Sequence, residues 1–176
     1  TVLGVTPADD APTVACTRRA VKAFGITGLL KLAKVAGSLS YGATASHMVR
    51  ADGYFALGAT FQRVIVQPGS GRFGLFASRK VQCVLSSGAE PRAAKLGLTT
   101  LRDTTRRLAA TPRHTVTVVA NGYLTGAPPE FAQTVDGIAA LVTTGALTGL
   151  RGAVELSGAT SAAAAEAFLR ANKVIT

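Results

Sequence analysis

Short apolar segments bounded by turn residues predict the β-strands of this chain. The segment "PADDA", 7–11, separates the first two strands. The segment "PGSG", 68–71, gives the strongest turn signal, because Gly and Pro favour the backbone angles of tight turns. It predicts that the strands on either side form a long hairpin. The predicted strands are 2–5, 12–17, 54–67, 72–85 and 114–122, with a further short strand at 152–158.

Apolar residues that recur every three or four positions predict helices between these strands. In the first helix Ile26, Leu29, Leu30 and Ala33 share one face, which we expect to be buried. The order of the elements predicts an α+β fold, with a mixed, mostly antiparallel sheet and helices packed on one face. The predicted helices are 25–36, 43–51, 89–109, 128–147 and 161–172.

The charge of the chain is high and uneven. The 176 residues carry a formal charge of +10, of which residues 1–113 contribute +11 and residues 114–176 contribute −1. A basic front half indicates either a solvated basic face or an anionic neighbour, such as nucleic acid, anionic lipid or an acidic subunit. Aromatic residues do not alternate with the arginines, as they do in proteins that stack single-stranded nucleic acid.

Apolar residues make up 48% of the chain, which is enough for a folded core of one ordinary domain or one domain with a small extension. The longest late uncharged segment, 137–150, has 14 residues and contains three glycines. A bilayer-spanning helix needs about 20 residues, so we expect no transmembrane helix. The first residue is Thr, which fits either the removal of a targeting segment or a start further upstream.

The chain offers few residues for chemistry. Cys16 and Cys83 lack the spacing of a metal or redox motif, so we expect buried thiols in a reducing compartment. His47 and His114 have no second ligand at helical spacing, so we expect surface or capping roles. The "GSGRFG" segment, 69–74, lacks the Lys-Ser/Thr of a phosphate loop and precedes a predicted strand, which favours a hairpin turn. No acid–base pair is evident, and we predict neither an enzyme nor a cofactor.

Residues 12–110 resemble the amino-terminal module of the mitochondrial processing peptidase family, the pitrilysin-type metallopeptidases, which includes the core proteins of respiratory complex III. "PTVACT", 12–17, is similar to a strand of that module, and "GITGLLKLA", 25–33, is similar to its zinc-binding helix. "GATASHMVRADGYFALGATFQR", 42–63, is similar to the helix and strand that follow. The resemblance implies a processing-peptidase-like α+β module over 1–126, and a helical tail over 127–176 that completes or extends it.

The family binds zinc through an inverted H-x-x-E-H motif. The matching positions here are Gly28, Lys31 and Leu32. Glycine and leucine have no donor atom for a metal, and a lysine ammonium repels a cation. The resemblance therefore implies a degenerate zinc site, with no metal and no catalytic residue.

The resemblance implies a non-catalytic structural core subunit of mitochondrial respiratory complex III, peripheral on the matrix side of the inner membrane. Its expected partners are other complex III subunits, especially a second core protein, and anionic lipid. The alternative is a basic organellar ribosomal or RNA-associated protein, although the lack of stacking aromatic residues argues against nucleic acid as a partner.

Overall fold

A computed structural model of the chain describes residues 1–108 and 113–176. The strands in this part of the chain are β1 (Val2–Val5), β2 (Pro12–Cys16), β3 (Ser40–Ala43), β4 (Arg63–Val66), β5 (Cys83–Ser87), β6 (Thr99–Thr100) and β7 (Val116–Val118). The α-helices are α1 (Arg18–Phe24), α2 (Leu29–Val35), α3 (Ala45–Val49), α4 (Gly71–Ala77), α5 (Pro91–Lys95), α6 (Asn121–Gly126), α7 (Phe131–Leu141), α8 (Thr144–Ser157) and α9 (Ser161–Ala171).

The chain forms two compact units. The larger unit is Ala11–Thr111, and the smaller unit combines Thr1–Asp10 with Pro112–Thr176. These bounds differ from those of the predicted module, 1–126, and the predicted tail, 127–176. The division into module and tail stays a prediction.

The larger unit is built on a five-stranded mixed sheet with the strand order β4-β3-β5-β2-β6. Strand β3 runs parallel to β4 and β5, whereas β2 runs antiparallel to β5 and β6. The carboxyl ends of β3, β4 and β5 therefore share one edge of the sheet, which we call the carboxyl edge. Their amino ends share the opposite edge with the end of β2, and we call this the amino edge.

Both faces of this sheet are covered by helices. Every residue of β2 is buried. Val14 packs on one face with Leu32 of α2, whereas its neighbour Ala15 packs on the other face with Phe73 of α4 and with Val84. Two-sided burial explains the continuous apolar character of β2, because a strand covered on both faces has no polar side. The α+β class with a mixed sheet is confirmed, but the prediction that helices pack on one face is wrong.

The predicted hairpin around residues 68–71 is also wrong. The turn itself is present, since the Gly71 amide donates to the Pro68 carbonyl at 3.0 Å. It leads from β4 into α4, and β3 lies between β4 and β5 in the sheet. Short apolar segments such as "RFGLFA" fit a buried helix as well as a strand, and this ambiguity produced the error.

Glycines in the left-handed conformation interrupt two of the predicted helices. Gly25, with φ 58°, ends α1, so the predicted helix 25–36 begins only with α2. Gly97, with φ 61°, ends the turn after α5 and leads into β6, so most of the predicted helix 89–109 is not helical. Position 109 lies outside the described residues. Residues 152–157 of the predicted strand 152–158 lie within α8 and Gly158 caps that helix, whereas the predicted helix 161–172 corresponds to α9.

The smaller unit pairs β1 with β7 in an antiparallel two-stranded sheet, and α7 packs on β1. The Gly4 amide donates to Asp136 Oδ1 at 2.7 Å, and a Cβ at Gly4 would lie 2.7 Å from Cβ of Ala139. Gly4 therefore permits the close approach of the helix to the strand. Among the helices of the described ranges, no single helix is long and apolar enough to span a membrane. Helices α7 and α8 meet these criteria only when taken together, and they are bent by 87° where they join.

A disulfide links β2 to β5 at the amino edge of the larger unit. Cys16 and Cys83 are direct partners in the β2–β5 pair, and their sulfur atoms are bonded at 2.04 Å. Both residues are fully buried. The prediction of free thiols in a reducing compartment is wrong, because the register that brings the two cysteines together cannot be read from a spacing of 67 residues.

Replacement of both cysteines tests the contribution of this bond. We expect Cys16→Ala with Cys83→Ala to lower the free energy of unfolding by about 4 kcal/mol, because the bond closes a long loop and restricts the unfolded chain. Urea unfolding with and without reductant measures the change. Reductant should destabilise the wild type and leave the double variant unaffected. Two titratable thiols in the unreduced wild type would contradict the assignment.

Candidate functional site

The carboxyl edge of the larger unit is the candidate site. In open α/β sheets, ligands bind beyond the carboxyl ends of parallel strands, where successive loops converge. Here three short segments follow β3, β4 and β5, namely 44–46, 67–70 and 88–90. Strand β2 begins at the same edge, since Pro12 pairs with Ser87 at the end of β5.

An arginine whose side chain is 12% exposed ties two of these segments together. Arg72 donates from Nε to the Leu85 carbonyl at 2.7 Å and from Nη1 to the Gly69 carbonyl. Its Nη2 pairs with Glu90 Oε2 at 3.3 Å. Glu90 is 6% exposed and also accepts from the Arg92 amide at 3.1 Å. These contacts fix the segment after β4 against the segment after β5. Glu90 Oε1 also pairs with Arg92 Nη1 at 3.6 Å, so one carboxylate is shared by two guanidinium groups and compensates only part of their charge.

An aromatic side chain fixes the third segment. Tyr41 in β3 is fully buried, and its ring stacks on Phe61 with centroids 4.6 Å apart. Its hydroxyl lies 3.1 Å from Nε2 of His47, which is 3% exposed in α3. Burial raises the pKa of Tyr41, so the hydroxyl keeps its proton. The hydrogen bond ties α3 to β3, and the expected surface or capping role of the His47 ring is wrong.

The side chains left open at the carboxyl edge are uncharged hydrogen-bonding groups. The hydroxyl oxygens of Thr44 and Ser46 lie 3.1 Å apart. Ser46 and Ser70 are exposed, and Gln67 is half-buried. Hydroxyl and amide groups can donate to and accept from a small polar molecule, and a few such groups give a binding site its selectivity. The arrangement can bind and orient a solute, and it contains no nucleophile paired with a base.

The positions expected to form the degenerate zinc site lie elsewhere, at the start of α2. Gly28 precedes the helix, and a Cβ there would lie 2.9 Å from the Arg102 carbonyl oxygen. Lys31 is exposed, whereas Leu32 is 1% exposed in the core. Of the face expected to be buried, Ile26 and Leu29 are buried and Leu30 is 49% exposed. The absence of a zinc role at Gly28, Lys31 and Leu32 stays a prediction.

Other residues singled out in the sequence do not join the carboxyl edge as ligands. His114 is exposed and its Nδ1 lies 2.8 Å from the Ala8 carbonyl oxygen. The "GSGRFG" segment, 69–74, leads into α4, contrary to the expected strand, and contributes its backbone, Ser70 and Arg72 to the edge. Within residues 1–108 and 113–176, no group of three or more His, Cys, Asp or Glu residues could hold a metal.

The fold matches solved structures of transport proteins. A crystal structure of a glycine betaine/carnitine/choline ABC transporter matches with a TM-score of 0.81 and 22% identity, over 98% of this chain and 64% of that chain. Apo YehZ from Escherichia coli matches with a TM-score of 0.71 and 21% identity, over 97% of this chain and 65% of that chain. An ABC-transporter choline binding protein in complex with choline matches with a TM-score of 0.62 and 19% identity, over 98% and 63%.

These matches establish the fold of the chain. The chain spans less than two thirds of the length of each of the three proteins. No protein-family model and no curated protein matches it.

The resemblance to the processing peptidase family is wrong. The neighbouring structures belong to ABC transport systems for choline and related solutes, not to peptidase-like core proteins. The segment equated with the zinc-binding helix, 25–33, begins with the glycine that ends α1 and continues into α2. The predicted hairpin does not form, and most of the predicted helix 89–109 is not helical. The resemblance rested on short segments with few specific residues, and many α+β folds contain similar segments.

The functional predictions that followed from the resemblance are corrected with it. A structural core subunit of complex III, its ribosomal or RNA-associated alternative and a location on the matrix side of the mitochondrial inner membrane are contradicted by the transport-protein neighbours. The expected partners, a second core protein, other complex III subunits and anionic lipid, are contradicted by the same matches.

The buried histidine makes the stability of the larger unit depend on pH. Burial lowers the pKa of His47 from 6.5 to about 4, and Asp52 opposes this shift. The unfolded chain takes up this proton at higher pH than the folded chain. Stability should therefore fall as the pH drops from 6.5 to about 4, by up to about 3 kcal/mol. Urea unfolding across this range measures the slope.

A matched pair of variants tests whether His47 causes this dependence of stability on pH. His47→Gln keeps a hydrogen-bonding partner for Tyr41 and does not titrate, so it should flatten the dependence between pH 6.5 and about 4. His114→Gln changes an exposed histidine and should leave the slope of the wild type. Equal slopes in the wild type and in His47→Gln would contradict the assignment.

Proposed function

We propose that the chain is a non-enzymatic solute-binding component of an ABC transporter, and that it binds its solute at the carboxyl edge of the larger unit. The observation that carries this proposal is the match to a glycine betaine/carnitine/choline ABC transporter over 98% of the chain with a TM-score of 0.81. The position of the open polar groups supports it, because ligands of open sheets bind beyond the carboxyl ends of parallel strands.

The charge of the larger unit favours a solute with an anionic group. This unit carries 15 Lys and Arg residues against three Asp and Glu residues, a formal charge of +12. Such a surface attracts carboxylates and repels cations over distances of several ångströms. Among the solutes named for the neighbours, glycine betaine and carnitine carry a carboxylate, whereas choline does not. We therefore propose that the zwitterionic solutes bind more tightly than choline.

The disulfide supports a location outside the cytoplasm. Structural disulfides persist in oxidising compartments and are rare in the cytoplasm, where thiols are kept reduced. The buried bond between Cys16 and Cys83 is of the structural kind. Solute-binding components of transporters that collect solutes outside the cell would function in such a compartment.

Calorimetric titration with glycine betaine, carnitine and choline tests the proposal. We expect glycine betaine or carnitine to bind with 1:1 stoichiometry and choline to bind more weakly. Ser46→Ala with Gln67→Ala should weaken binding about 30-fold, since each lost hydrogen bond is worth roughly 1 kcal/mol.

The control for this titration carries the same kinds of substitution near the opposite edge of the sheet. Thr60→Ala with Gln62→Ala changes two exposed polar side chains just before β4 and should leave the affinity unchanged. An equal loss of solute affinity in both double variants would contradict a binding site at the carboxyl edge. No heat at millimolar concentrations of all three solutes would contradict the proposed solute class.

A further inference from the structure

The amino edge of the larger unit contains a cavity of about 620 Å³, on the side of the sheet away from the carboxyl edge. Segments at the end of β2 and before β3 and β5 contribute Thr17, Leu39 and Gln82 to its wall. Helix α1 contributes Arg19, and the turn after α4 contributes Arg79. The cavity is of the size that small organic ligands occupy and is much larger than an inorganic ion needs.

The charge at this cavity is positive and uncompensated. In the part of the chain that the structure describes, no ion pair within 4.0 Å involves Arg19 or Arg79. The three acids of the larger unit have other contacts. Asp52 pairs with Arg50, and Glu90 pairs with Arg72 at the carboxyl edge. Asp103 accepts hydrogen bonds from the amides of Thr105 and Leu108.

Further cations lie near the two arginines in the chain. Arg18 and Lys22 are in α1 with Arg19, and Lys80 follows Arg79. All three are exposed. Clustered charges of one sign raise the local concentration of the opposite ion. Guanidinium groups present a planar set of donors that matches carboxylate and phosphate oxygens.

Arg79 stands in a tight turn after α4. It has φ 55°, in the left-handed region that favours glycine. Hydrogen bonds hold this conformation, since the Arg79 amide donates to the Phe76 carbonyl and the Lys80 amide donates to the Leu75 carbonyl, both at 2.9 Å. A glycine would satisfy the turn at lower conformational cost, so Arg79→Gly can remove the charge without straining the turn.

The remaining wall combines apolar side chains with the polar residues Thr17, Ser38 and Gln82, and it is rigidly supported. Phe24 and Phe76 are half-buried and line the cavity, together with the buried Leu39. The Gln82 side chain accepts from the Ser40 amide at 2.7 Å, and the Thr17 amide donates to the Gln82 carbonyl at 2.8 Å. The disulfide lies next to these residues in the chain. The part of the cavity wall formed by Thr17 and Gln82 is therefore held in place by the sheet before any ligand binds.

We propose that this cavity binds a small organic anion, with its carboxylate or phosphate on Arg19 and Arg79 and its apolar body against Phe24 and Phe76. The site is separate from the solute site proposed above, because the two occupy opposite edges of the sheet. It does not depend on the transport function, and it would serve as a second site on the same unit.

Titration with phenyl phosphate, phenylacetate, inorganic phosphate and benzyl alcohol tests this proposal. We expect phenyl phosphate or phenylacetate to bind at least tenfold more tightly than inorganic phosphate and than the neutral benzyl alcohol. The relative affinities of the first two identify whether the site prefers phosphate or carboxylate. Inorganic phosphate binding as tightly as both organic anions, or no binding of either organic anion at millimolar concentration, would overturn the proposal.

Two glycine variants separate a binding role of Arg79 from a structural one. Arg79→Gly removes the charge and relieves the left-handed backbone, so it should weaken binding at least tenfold while the melting temperature stays unchanged or rises. Arg106→Gly is the matched control, since Arg106 has φ 53°, is exposed and does not line the cavity. Arg106→Gly should bind the same anion with the affinity of the wild type. Equal weakening by both variants would show a general charge effect and overturn the site.

Discussion

The antiparallel pairing of β2 with β5 is the constraint on which the larger unit depends. It places the end of β2 beside the start of β5, so that Cys16 meets Cys83 and the disulfide closes the amino edge. It also places the start of β2 beside the end of β5, at the carboxyl edge. Because both strands are buried on two faces, a shift of register by one residue would exchange the side chains of the two cores. The register therefore fixes which residues reach each edge.

The two edges of this sheet differ in chemistry. At the carboxyl edge the buried Glu90 pairs with Arg72 and Arg92 and fixes the loops, and the open hydrogen-bonding side chains are uncharged hydroxyl and amide groups. At the amino edge Arg19 and Arg79 lack acidic partners among the described residues and line a cavity with aromatic walls. The first arrangement favours recognition by hydrogen bonds and the second favours recognition by charge. We therefore propose a separate binding surface at each edge of this sheet.

The sequence predicted those elements whose pattern is local. β1, β2 and α9 follow from short apolar runs and helix propensity, and the fold class followed from their order. The Gly25 and Gly97 breaks were missed, because a glycine inside an apolar pattern is compatible with either a helix or its end. The parallel β3–β4 pair was missed, because strand pairing across intervening helices leaves no local signal.

The candidate site could hardly be predicted from the sequence. Arg72 and Glu90 are 18 residues apart, and nothing in their local pattern connects them. The disulfide joins residues that are 67 positions apart and depends on sheet register. The resemblance to a peptidase was drawn from short segments with few specific residues, and such segments do not distinguish folds that share short strands and helices. Only the three-dimensional arrangement separated the fold shared with the matched structures from a peptidase module.

Hydrogen exchange in the presence and absence of glycine betaine tests whether solute binds at the carboxyl edge of the larger unit, because it locates a bound solute without any substitution. We expect slower exchange of backbone amides at 44–46, 67–70 and 88–90, with the amides around Arg19 and Arg79 unaffected. Protection confined to the amino edge, or protection at none of these segments under conditions where glycine betaine is bound, would contradict this expectation.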